Sequence, residues 1–167
     1  MIEVEEMHVT QVNRLIRRIG YGHLGCARDN RPYVVPVNYA YRDPDILIFT
    51  TEGQKTDYIA RNPEVCLQIE EVNDQTDWQS VVIQGRAERL TNAEEIERAM
   101  QAITERNPTL TPALNKMWID TWGRANTIAL YRITPYLMSG RKTVPRGETR
   151  GPGALARAAS GDDDATA

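Results

Sequence analysis

Residues 21–50, YGHLGCARDNRPYVVPVNYAYRDPDILIFT, contain three runs rich in β-branched and aromatic residues, separated only by short turns. Tyr21–Ala27 reads as a strand, ARDNRP as a turn, 33–41 (YVVPVNYAY) as a strand, Arg42–Asp45 as a turn and Ile46–Thr50 as a strand. A parallel crossover needs about a dozen residues between strands, so these neighbours must be antiparallel. Pro36 lies in the middle of the second run. Proline cannot donate to a sheet ladder, so this strand is expected at an edge or bulged there.

The same pattern continues outward. Val65–Val72 and Trp78–Leu90 read as strands, with Gly85 a bulge or kink in the second, and Asn126–Met138 reads as the last strand. Helical spacing covers 10–19, with Val12, Leu15, Ile16 and Ile19 on one face and Thr10 as N-cap. A short helix is expected over 53–62, closed by Asn62-Pro63. A longer one follows the cap Asn92 through NAEEIERAMQAITER, and a further helical piece covers Pro112–Trp122. Six β segments with late helices predict a mainly β (α+β) chain built as a small antiparallel barrel. From Thr143 onward Gly, Pro, Ala and charge dominate. That composition cannot offset its ordering entropy, so 1–142 is expected to fold and 143–167 to form a disordered tail.

Composition narrows the function. The chain has 167 residues, 41% hydrophobic and 26% charged, with 20 Lys plus Arg against 23 Asp plus Glu and a net charge of −3. A mildly acidic chain is not a general nucleic-acid binder, and no apolar run approaches the roughly 20 residues that span a bilayer. The opening MIEVEEMHV is acidic and has no apolar stretch, so it does not read as a secretory signal. The expectation is a cytoplasmic protein with Cys26 and Cys66 reduced and buried. Neither cysteine lies in a CxxC pair, and two histidines, His8 and His23, give no ligand spacing, so no metal site is expected. His23, between Gly22 and Leu24, reads as a structural histidine.

Three segments carry candidate chemistry. Thr50-Thr51-Glu52-Gly53-Gln54-Lys55 places two hydroxyls at a strand end, then a glycine, then a lysine at a helix start. That arrangement suits a phosphate, although a capped helix with a solvated lysine gives the same string. Val35-Pro36-Val37-Asn38 forms a proline-broken strand whose backbone suits a planar heterocycle, or is simply an edge protected by proline. Trp78-Gln79-Ser80 sets a ring and a hydroxyl on one strand face, which fits a cofactor pocket or a core tryptophan.

In their order, these pieces resemble the flavin-binding split barrels related to pyridoxamine 5′-phosphate oxidase, in particular the nitroimidazole-resistance branch. The resemblance runs over about residues 5–142 and ends at MSGRK. It implies a six-stranded split barrel with peripheral helices that dimerises and holds two FMN molecules at the interface. It further implies that Val35, Pro36, Val37 and Asn38 lie beside the flavin ring. Thr50, Thr51 and Lys55 would hold the phosphate and ribityl chain, with Trp78, Gln79 and Ser80 closing the pocket. Trp118, Trp122 or Arg141 of the other subunit would add to it. Tyr39, Tyr41 and Trp118 are candidates to stack on a planar substrate. No histidine follows His23, where vitamin B6 oxidases and haem-binding relatives have one, and Phe49 stands where nitroimidazole-resistance relatives often carry histidine. The expected function is electron or hydride transfer through FMN to a small planar substrate, with no conventional catalytic side chain assigned. A flavin- or haem-binding protein without turnover and a deazaflavin-dependent reductase are the alternatives.

Overall fold

The computed structural model describes residues 2–106 and 128–144. The elements are β1 (Glu3–Glu6), α1 (Val9–Ile19), β2 (Tyr21–Arg28), β3 (Arg31–Arg42), β4 (Asp45–Thr51), α2 (Gln54–Arg61), β5 (Glu64–Val72), β6 (Trp78–Arg89), α3 (Ala93–Arg106) and β7 (Ile128–Val144). All pairings are antiparallel. The order β7-β4-β3-β2-β5-β6 closes on itself through β6–β7, giving the six-stranded barrel, and β1 adds to the far end of β7. The fold is therefore the α+β barrel expected, with one strand more. The helical piece 112–122 and the tail from 145 lie outside the described residues.

Alternation fills the barrel. Leu24, Ile46, Ile48, Leu67, Ile69, Val81, Ile83 and Ile133 are fully or almost fully buried. Each such side chain contributes about 1.5–3 kcal/mol of hydrophobic stabilisation. One end is stoppered by α1 through Val12, Leu15 and Ile16. There the buried Tyr39 hydroxyl donates to the Ile16 carbonyl at 2.8 Å, and burial pushes its phenol pKa well above the usual range. The other end is closed by α2, whose Thr56, Tyr58 and Ile59 are buried. A separate cluster packs Ala99, Ala102 and Ile103 of α3 against Phe49 and Leu130 outside the barrel.

Element ends shift from the sequence pattern, and two shifts matter most. The first helix starts at Val9 with His8 as N-cap, whose N–H donates to Gln11 Oε1 at 2.9 Å, so Thr10 is inside the helix. β7 continues six residues past Met138, to Val144, so Thr143 and Val144 are strand rather than tail. Cys26 is buried as expected, whereas Cys66 is only half-buried. No described helix is long and apolar enough to cross a membrane.

Gly85 fulfils its expected role. The β6–β7 register shifts between Gln84 and Gly85, and a Cβ there would lie 2.8 Å from both Ile133 Cγ2 and the Thr134 carbonyl. Backbone cannot yield as a flexible side chain would. Gly85→Ala is expected to cost about 1–3 kcal/mol, seen as a lower urea midpoint with an unchanged slope. An unchanged midpoint would show that the ring closure tolerates a side chain at the bulge.

Candidate functional site

The barrel is opened along one seam. β3 pairs with β2 from Arg31 to Asn38, and with β4 only from Tyr39 to Arg42. β4 pairs with β7 throughout, from Ile46 to Thr51, and from Phe49 to Thr51 its other edge has no strand partner, with Thr50 opposite Ala129 and Thr51 opposite Ile128. Pro36 lies on the part of β3 with one partner, so it is an edge residue and not a bulge. The Tyr39 N–H donates toward β2, to Gly20 O at 3.0 Å. By the alternation of an antiparallel ladder, the backbone groups of Val34 and Pro36 then face the seam. A proline here forfeits no ladder bond, and its carbonyl is presented to whatever lies along the edge.

Across the seam stands the strand–turn–helix of Thr50 to Lys55. Thr50 is buried and Thr51 half-buried, and as successive strand residues they point to opposite faces. The Thr56 hydroxyl caps α2 from within, accepting from Gly53 N–H at 2.9 Å and donating to Gly53 O at 2.7 Å. The first intrahelical bond is Asp57 N–H to Gly53 O, so the amides of Gln54 to Thr56 lie at the positive end of the helix. Lys55 is half-buried, and among the described residues no carboxylate pairs with it. Burial pushes its pKa down, and nearby Cys26 and Glu52 offset this only in part.

Glu52, the one residue of this turn that would oppose an anion, has its charge diverted. It forms an ion pair with Arg89 of β6. Burial opposes its ionisation, but hydrogen bonds from Thr56 and Arg89 outweigh that and hold it below the usual carboxylate range. The seam thus combines a desolvated ammonium, helix-end amides and an open strand edge. That donor set fits a phosphate followed by a planar heterocycle.

The third segment is elsewhere. Ser80 pairs with Glu70 on one side and Arg141 on the other, and its hydroxyl accepts from Gln68 Nε2 at 3.3 Å. Going β6, β5, β2, β3 along the registers, three strand spacings separate it from Pro36, about 14 Å. Within one chain Ser80 and Trp78 therefore do not meet the seam. Gln79 is committed to structure: its amide donates to Glu71 Oε2 at 2.7 Å, and Glu71 is held bidentately by Arg18 of α1. Of the stacking candidates, Tyr39 is inside the barrel, and half-buried Tyr41 lies under Arg17, 5.0 Å from its ring. Trp118 and Trp122 are outside the described residues. Two hollows, of about 570 Å³ beside Arg17, Tyr41 and Arg106 and about 370 Å³ beside Val34, Cys66 and Tyr136, contain none of the ten cofactor-site candidates. No cluster of metal-ligating side chains occurs among the described residues.

The sequence alone did not reveal Arg89 as partner of Glu52, Cys26 as neighbour of Lys55, or the array of His23, Gln68, Glu70 and Ser80. The period-two placement of Tyr21 and His23 on one strand face was the available sign, but their partners are set by register.

A six-stranded antiparallel barrel with one opened seam defines a split-barrel protein. The chain belongs to the pyridoxamine 5′-phosphate oxidase-related split-barrel family: the family model described as pyridoxamine 5′-phosphate oxidase matches residues 8–142. Among solved structures it is similar to a FAD-binding protein from Mesorhizobium loti, with a TM-score of 0.70 and 26% identity over 87% of this chain and 100% of that one. It also shares its fold with a putative 5-nitroimidazole antibiotic resistance protein from Bacteroides thetaiotaomicron, with a TM-score of 0.66 and 17% identity over 86% and 89% of the two chains. A curated relative, an uncharacterised protein from Rhizobium meliloti, is 43% identical over 67 residues, which span 40% of this chain and 44% of that one.

The Arg18–Glu71–Gln79 clamp sets an acid limit. Hydrogen bonds from Arg18 and Gln79 hold Glu71 down to about 2, against 4.5 when free. A carboxylate lowered on folding stabilises the native state above its unfolded pKa, and that contribution is lost as pH falls from about 4.5 toward 2. For a partly exposed pair the effect is about 1 kcal/mol. Glu71→Gln should flatten this limb of the stability–pH curve and leave the remainder parallel to wild type. Parallel curves through the acid range would remove the clamp.

Proposed function

We propose that the protein binds FMN in the β3–β4 seam and acts as an oxidoreductase on a small planar substrate. The observation that carries this reading is Lys55: a half-buried cation at the start of α2 that forms no ion pair among the described residues, on the bank opposite the open strand edge. A buried charge without a counter-ion is costly, and an anionic ligand removes that cost. A flavin, when bound, supplies the electron chemistry. Lys55 and the first-turn amides of α2 hold the phosphate; Thr50 and Thr51 offer hydroxyls to the chain that follows it. The β3 edge from Val35 to Asn38 orients the ring, and the buried interior side chains behind it exclude water. The flavin named for the Mesorhizobium loti protein supports a flavin here, and a single lysine at the cradle favours the monophosphate.

The reading includes a homodimer. Trp78, Ser80 and exposed Arg141 lie together on the outer face, beyond reach of their own seam but available to that of a second copy. Exposed Val34 and Tyr136 mark the same side of the barrel as apolar. A cytoplasmic setting with both cysteines as free thiols completes the proposal.

The purified protein is expected to be yellow, or to become so with added FMN, and mass spectrometry of the heat-released ligand distinguishes FMN from FAD and from a deazaflavin. Lys55→Ala should weaken FMN binding by roughly 1.5–3 kcal/mol while leaving riboflavin binding nearly unchanged. Equal affinity for FMN before and after the substitution would remove the phosphate assignment. Light scattering at micromolar concentration should give the mass of two chains; one chain's mass would contradict the shared site.

A further inference from the structure

His23 lies on the outer face of β2, paired in register with Pro36. Its Nδ1 is 3.1 Å from Gln68 Oε1 on β5. The far end of the array fixes the direction of that bond. Glu70 Oε2 is 3.0 Å from Gln68 Nε2, and a carboxylate can only accept. Gln68 therefore turns its NH₂ toward Glu70 and the Ser80 hydroxyl, and its carbonyl toward the histidine. Nδ1 must carry the proton. In the neutral ring the remaining nitrogen, Nε2, is then a hydrogen-bond acceptor, and among the described residues nothing bonds to it.

The surroundings leave this arrangement undisturbed. Tyr21 packs edge-on against the ring, with centroids 5.6 Å apart and planes at 76°. On β3 the opposing residue is Pro36, flanked by Val35 and Val37, none of which titrates. On β5 the carboxylate of Glu70 is the nearest charge in the array, and it acts through Gln68. On β6 the array ends at the neutral Ser80. Four side chains on three strands thus hold one imidazole in one tautomer, half-buried beside the proline of the open edge.

We propose that His23 is a specificity-determining residue of the seam, its Nε2 accepting a hydrogen bond from a ring N–H at the edge of a planar heterocycle lying along Pro36. This rests on the flavin reading, in which the ring imide N–H at position 3 is the donor. Gln68 and Glu70 are positioning residues: they set the tautomer and touch no ligand.

The test begins on the full-length protein labelled with ¹⁵N in its histidine rings, without ligand. NMR should show His23 as the Nδ1–H tautomer, and Gln68→Leu should release it to the mixture of a free imidazole. An Nε2–H tautomer in wild type overturns the proposal. FMN and 3-methyl-FMN, which lacks the imide N–H, are then titrated into wild type and His23→Phe, a variant that keeps a ring against Tyr21. Methylation should cost wild type about fivefold in affinity and the variant little. Equal losses in both overturn the assignment.

If His23→Phe does not fold, wild type alone decides. The FMN to 3-methyl-FMN affinity ratio, in which phosphate titration cancels, should fall as NMR shows His23 taking up its second proton. A ratio that stays constant or rises overturns the proposal. Wild type that takes up no FMN sinks the flavin reading and this assignment together, whereas FMN uptake indifferent to His23 sinks this assignment alone.

Discussion

Tyr39 is where β3 passes from one neighbour to another: β2 pairs with it up to Asn38 and β4 from Tyr39 onward. From Arg31 to Asn38 it pairs with β2 alone, and its other edge there has no strand partner. Backbone polar groups need partners, so an edge left open inside a closed ring must be protected, solvated or used by a ligand. Pro36 accounts for one lost donor, and the strand–turn–helix from Thr50 to Lys55 occupies the opposite bank. The buried Tyr39 phenol, fastened to α1 through the Ile16 carbonyl, anchors the point of divergence. Barrel closure, the helix stoppers and the candidate site all follow from where this strand exchanges one partner for the other.

Charge placement along the seam follows the same economy. Lys55 is desolvated and keeps no ion pair among the described residues, while Glu52, three residues before it, is engaged by Arg89. Elsewhere the chain pairs its charges freely: Arg18 with Glu71, Arg132 with Glu88 and Glu95, Lys142 with Glu5. The contrast is the observation on which the proposed site rests. Of the two acids within one turn of Lys55, Glu52 is held by Arg89, and Asp57 forms no ion pair with it among the described residues.

Much of this was legible in the chain. Strand alternation, short turns and the caps at helix ends are local, and they gave the antiparallel barrel, the cap at Asn92 and the bulge at Gly85. The hydroxyls, glycine and lysine of the phosphate-type turn are contiguous, so their grouping survived folding. β1 was not legible: Glu3–Glu6 is short, polar and exposed, and it becomes a strand only because the end of β7 offers an unpaired edge. The last six residues of β7 were missed for the same reason. Ser139-Gly140-Arg141-Lys142 has no β signature, but β6 pairs on one side, and Gly140 is buried so tightly that a Cβ would meet Met7 Sδ at 2.8 Å.

The sequence by itself determined the elements, the barrel class and the composition of the cradle, because each depends on spacing within a few residues of one strand or turn. Only the tertiary structure decided which candidates share a site. Register across four strands places Ser80 and Trp78 about 14 Å from Pro36, commits Gln79 to Glu71, and brings Gln68 and Glu70 under His23. Hydrogen bonds between strands set these distances, and they join residues tens of positions apart, so no local pattern in the chain encodes them.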